Sequence, residues 1–131
     1  MARILIAEDD VAVRSFVMRA LSHRGHEVTG VEDGVQALDS LAQYDFDLLI
    51  TDIVMPGMDG IALALKLARD RPELPVLLMT GYAAERQRAH NLDALINRVV
   101  PKPFSLEQIC SAAEEMLNHA RNGLLDQPRH H

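Results

Sequence analysis

The chain has 131 residues, 48% of them hydrophobic, and a formal net charge of −6. This is one domain's length with ample apolar material for one core, and an acidic chain without a basic run is not built to bind nucleic acid alone. The single cysteine, Cys110, rules out an internal disulfide, no apolar run approaches the ~18 residues of a membrane span, and the expected setting is cytoplasmic.

Residues 3–7 read as a short buried strand that runs directly into Glu8-Asp9-Asp10. Three adjacent carboxylates repel one another at the rim of an apolar sheet, and a divalent cation relieves that repulsion. All-oxygen ligands suit Mg2+, which takes one or two carboxylates and keeps several waters. The same acids also suit a helix start with Asp10 as its cap. Both readings can hold, with Asp10 capping while Glu8 and Asp9 bind metal. Val13, Phe16, Val17, Ala20 and Leu21 then form an apolar helical stripe, stopped by Gly25. A second strand is expected near 27–31, then a helix at 34–43 with Val35, Leu38, Leu41 and Ala42 inward.

A strand expected at 47–51, its apolar run starting at Leu48, delivers one carboxylate, Asp52, into the Met55-Pro56-Gly57 loop. The carboxyl edge of an open parallel sheet is where ligands bind, although a lone acid there also suits a solvated turn. A helix at about 60–70 follows, with Asp59 as N-cap and Pro72 just beyond its end. The strand at 75–79 ends in Thr80-Gly81, and 84–93 reads as a weak, polar helix. A fifth strand near 96–100 ends in Pro101-Lys102-Pro103-Phe104, a lysine locked between prolines. Ser105-Leu106-Glu107-Gln108 is a capping-box signature for a last helix with Ile109, Ala113, Met116 and Leu117 inward. Residues 121–131 read as a loose tail, and the terminal His130-His131 are too few to mark a metal site.

Strands and helices in alternation predict an α/β protein with a parallel sheet covered on both faces. Its strand ends supply carboxylates for a metal, a nucleophilic carboxylate, a hydroxyl donor and a fixed ammonium. Those are the parts needed to put a phosphoryl group on an aspartate and hold it there.

Glu8-Asp9, Asp52, Met55-Pro56, Asp59-Gly60, Thr80 and Lys102-Pro103-Phe104 occur in the order and spacing of the receiver domains of two-component response regulators. The chain resembles that family over about residues 1–120. The resemblance implies a (βα)5 flavodoxin-like, doubly wound sheet with strand order 2-1-3-4-5. It implies that Asp52 accepts a phosphoryl group from a phosphohistidine on a sensor histidine kinase or phosphotransfer protein. Asp9, Asp52 and the backbone carbonyl of Val54 would ligate Mg2+, with Glu8 acting through water. Lys102 would pair with the phosphoryl oxygens, and Thr80 would move inward to donate a hydrogen bond to one of them. The Lys102-Pro103 bond would be cis.

Two positions depart from the family pattern. The aromatic residue often found three positions before the lysine is Val99 here, and Pro101 is less usual. Tyr82 is the alternative ring for a rotamer switch, or else packs on the sheet rim. No output domain is expected after about residue 120, so output would be a phosphorylation-dependent protein contact. The family's usual surface for it is formed by the helix at 84–93, the fifth strand and the last helix, and Glu85-Arg86-Gln87-Arg88 fits that surface. Ala7–Asp10, Thr51–Pro56 and Thr80–Ala84 are similar to single-domain cell-cycle receivers that prime a Clp-type protease, which would make the downstream partner a protease or adaptor. No enzyme activity is expected beyond the chain's own phosphoryl acceptance and hydrolysis. The rival from another class, an aspartate-nucleophile phosphohydrolase of the haloacid dehalogenase type, needs a second acid where Val54 stands. A degenerate receiver serving only as a scaffold would not need the complete set of site chemistries.

Overall fold

The computed structural model describes residues 1–81 and 98–126. Along the chain run β1 (Arg3–Ala7), α1 (Val11–His23), β2 (Glu27–Val31), α2 (Gly34–Gln43), β3 (Leu48–Asp52), α3 (Gly60–Asp70), β4 (Val76–Thr80), β5 (Arg98–Pro101) and α4 (Leu106–Asp126). The strands pair in parallel in the order β2-β1-β3-β4-β5, as expected for a flavodoxin-like sheet. The helix anticipated at 84–93, Tyr82 and Glu85–Arg88 lie outside the described residues.

Alternation along the strands builds two cores. Ile4, Ile6, Leu48, Ile50, Leu77, Met79 and Val100 pack on one face against α1 and α4. Leu5, Ala7, Leu49, Val76 and Leu78 pack on the other against α2 and α3. Side chains of a strand point alternately to opposite faces, so each fully apolar strand feeds both cores.

The helix ends follow their local chemistry. Asp10 caps α1 by accepting from the backbone N–H groups of Ala12 and Val13. At the other end Gly25 takes φ +90°, a left-handed conformation that favours glycine, and donates to Ser22 while His26 donates to Leu21. Both arms of the capping box at α4 are made: Gln108 N donates to Ser105 Oγ at 3.0 Å, and Ser105 N donates to Gln108 Oε1 at 2.8 Å. Asp59 caps α3 by accepting from Ala62 N.

Four details differ from expectation. β3 and β4 run one residue later than predicted, so Asp52 and Thr80 are the last residues of their strands. In α2 the buried residues are Gly34, Ala37 and Leu41, while Val35 is 58% exposed and Ala42 is exposed. Small residues let that helix approach the sheet closely, and a reading weighted toward large side chains rotates the face. Phe16 is 38% exposed and stacks at 6.3 Å on Phe104 instead of entering the core. Finally, α4 continues to Asp126, six residues into the segment expected as tail. Once a helix is nucleated each further residue adds a hydrogen bond, so Asn122 and Gly123 do not stop it.

Candidate functional site

The same alternation that builds the core aims the site. Glu8 continues the series of Ile4 and Ile6, Asp52 that of Leu48 and Ile50, and Lys102 that of Val100. All three therefore emerge at the carboxyl edge on the α1/α4 side, where they share a cleft of about 730 Å3 with Asp9, Val54, Phe16 and Phe104. β1 and β3 are neighbours in the sheet, yet α1 leaves toward one face and α3 toward the other. The crevice between the departing loops is the ligand position of doubly wound sheets.

Glu8 is 1% exposed and Asp52 is buried beside it, whereas Asp9 is exposed. The Lys102 ammonium bridges the two buried acids, with Nζ 3.0 Å from Glu8 Oε1 and 3.2 Å from Asp52 Oδ1. Glu8 Oε2 also accepts from Asp10 N at 3.1 Å. Burial lifts the Glu8 carboxyl to about 7, against the opposing pull of the Asp10 N–H and Lys102. Asp52 is likewise raised by burial, which outweighs the nearby ammonium. Burial alone would lower Lys102, but its bond to Glu8 and the charges of Asp52 and Glu8 push it above the usual lysine value. The peptide bond after Lys102 is cis, as the resemblance implied.

One oxygen from each of Glu8, Asp9 and Asp52 can be chosen so that all lie within 4.8 Å of one another. Three carboxylates face one ammonium, and that residual negative charge on an all-oxygen set fits a hard divalent cation. The carbonyl-bearing Val54 lines the same cleft. Thr80 is placed differently. Its side chain is fully buried, lies outside the cleft lining, and its Oγ1 has no hydrogen-bond partner among the described residues. Its backbone oxygen accepts from Lys102 N at 2.6 Å, tying the end of β4 to the lysine loop. A buried hydroxyl without a partner is costly.

Three features escaped the sequence reading: the Glu8–Lys102 pair, the Phe16–Phe104 wall, and Arg14, whose Nη1 donates to the Glu8 carbonyl at 2.7 Å. Arg14 had a visible signal. It is a cation in the first turns of a helix, where the macrodipole disfavours positive charge.

Fold and site together define a response regulator receiver domain of two-component systems. The sequence pattern of the response regulator receiver domain matches residues 4–114, and the chain belongs to that family. It is 40% identical over 117 residues to the response regulator receiver protein CpdR of Brucella abortus (strain 2308), covering 89% of this chain and 98% of CpdR. That similarity fits the resemblance to single-domain cell-cycle receivers. Identity to response regulator MprA of Mycobacterium avium (strain 104) is 36% over 119 residues, 91% of this chain but 52% of MprA, so the chain spans about half of that relative. Among solved structures, response regulator TrrA of Thermotoga maritima in complex with Mg2+-BeF superposes with a TM-score of 0.81 at 26% identity, covering 88% of this chain and 99% of TrrA.

Proposed function

We propose that Asp52 accepts a phosphoryl group from a phosphohistidine on a sensor histidine kinase or phosphotransfer protein, and that the phosphorylated chain signals through a protein contact. The observation that carries this reading is the buried Asp52 carboxylate, 3.2 Å from the Lys102 ammonium at a shared sheet edge. In the transfer an Asp52 oxygen attacks phosphorus, and the P–N bond breaks with its electron pair leaving on the histidine nitrogen. Lys102 pulls the Asp52 carboxyl down against the burial that raises it and meets the charge on the phosphoryl oxygens. Thr80 turns its unpartnered hydroxyl to one of those oxygens. Asp9, Asp52 and the Val54 carbonyl would hold Mg2+, with Glu8 beside them; bound there, the ion would supply positive charge to the acids and to the phosphoryl oxygens. TrrA, solved with Mg2+-BeF, supports that choice of cation. Beyond accepting and hydrolysing its own phosphoryl group the chain is not an enzyme.

The similarity to CpdR supports a protein as the downstream target, with a Clp-type protease or its adaptor the version we favour. Incubation with Mg2+ and a small phosphodonor should add one phosphoryl group by mass spectrometry, and Asp52→Asn should abolish it. Equal labelling of the Asn variant would overturn the assignment.

A further inference from the structure

We propose that Arg14 is a positioning residue for cation binding, fixing the peptide between Glu8 and Asp9 through a passage that Gly30 keeps open. The inference rests on the acid set proposed above as the Mg2+ site. Glu8 is clamped on both sides of its backbone: its N–H donates to Val31 O at 3.0 Å, and its carbonyl accepts from Arg14 Nη1 at 2.7 Å. That carbonyl belongs to the peptide plane joining Glu8 to Asp9. Holding the plane sets the directions in which the buried carboxylate of one acid and the exposed carboxylate of the next leave the chain. A charged donor on a carbonyl is among the stronger hydrogen bonds available for this task.

Gly30 on β2 pairs with Ile6 on β1, on the face covered by α1. A Cβ built on Gly30 would stand 3.2 Å from Arg14 Cδ and 2.5 Å from Met18 Sδ. The bare α-carbon therefore leaves room for the end of Met18 and the Arg14 stem side by side, and a Cβ there would press on both. Arg14 itself sits near the start of α1, where the helix dipole disfavours a cation. Acids at positions 8–10 compensate, and the carbonyl contact gives the guanidinium its use.

Electrostatics and positioning predict opposite signs, which makes the inference testable. Arg14→Met removes a positive charge near the acids, so a purely electrostatic role would tighten Mg2+ binding. A positioning role weakens it, by roughly tenfold if Arg14 acts like other groups that orient metal-ligating residues. The experiment is a titration of the folded protein with Mg2+ alone, followed by backbone amide chemical shifts, with melting temperature recorded for each variant. Wild type, Arg14→Met, Gly30→Ala and Asp9→Ala are compared. Expected are weaker binding for Arg14→Met and an intermediate loss for Gly30→Ala, which leaves every charge in place. Unchanged or tighter binding in Arg14→Met, with Asp9→Ala still strongly impaired, overturns the role of Arg14 alone. Unchanged binding in Asp9→Ala overturns the metal site and this inference with it.

Discussion

Lys102 is the only cation shared by two buried acids among the described residues, and its removal leaves Glu8 and Asp52 facing each other without a counter-charge. Breaking a buried pair is more damaging than never having built it. Lys102→Met should lose about 1–3 kcal/mol in chelator, and added Mg2+ should restore much of the loss by replacing the missing positive charge. If Mg2+ gives the variant no more stabilisation than wild type, the ammonium and the cation do not share a role. Glu8 adds a pH dependence. Its carboxyl is raised from 4.5 to about 7 by burial, so between those values the folded protein keeps a proton that the unfolded chain has released. The contribution is complete below the unfolded value and is lost as pH rises through the folded one. In chelator, melting temperature should therefore fall from about pH 5 to about pH 8, and Glu8→Gln should flatten the decline. An identical slope in that variant would mean that another group carries it.

At the scale of elements, glycine and capping residues do more than the large apolar side chains suggest. A Cβ on Gly60, the first residue of α3, would overlap the backbone carbonyl of Asp52. Gly60→Ala should therefore destabilise by roughly 1–3 kcal/mol through overpacking and slow phosphorylation as well. A variant with altered stability but wild-type phosphorylation would separate the helix start from the site. In α2, Val35→Ser should be nearly neutral and Ala37→Leu clearly destabilising, which melting temperatures would compare directly. That contrast also marks the limit of the sequence reading. The caps at Asp10, Asp59 and Ser105 were legible because each has a local chemical reason visible in its own neighbours. The α2 face was not, because the decision lay with the sheet, which receives Ala37 and leaves Val35 in solvent. The end of α4 was missed for a related cause: propagation from an established helix overrides the poor propensity of Asn122 and Gly123.

At the scale of the whole molecule, the central strands β1, β3 and β4 are short apolar runs, and such runs do not say which neighbours they choose. Their order was legible only through the family motifs, whereas the identity of the site residues could be read at the strand ends themselves. The arrangement separates two tasks. Two apolar cores on either side of the sheet hold the fold, and the carboxyl edge holds buried acids whose protonated forms burial favours. A site of that kind opposes stability, so neutralising it should strengthen the fold while ending its function. The raised Asp52 carboxyl means that its charged form is disfavoured on folding, a penalty present once the pH exceeds the folded value. Asp52→Asn keeps the side chain's shape and removes that charge. In chelator at about pH 8 the variant should melt a few degrees above wild type, where ~1 kcal/mol corresponds to roughly 2–8 °C for domains near this size. Mg2+ should narrow the gap, because a ligand stabilises the form that binds it more tightly. An Asn variant that melts at or below wild type in chelator would show that the Lys102–Asp52 pair helps hold the sheet edge, and the division between core and site would fail.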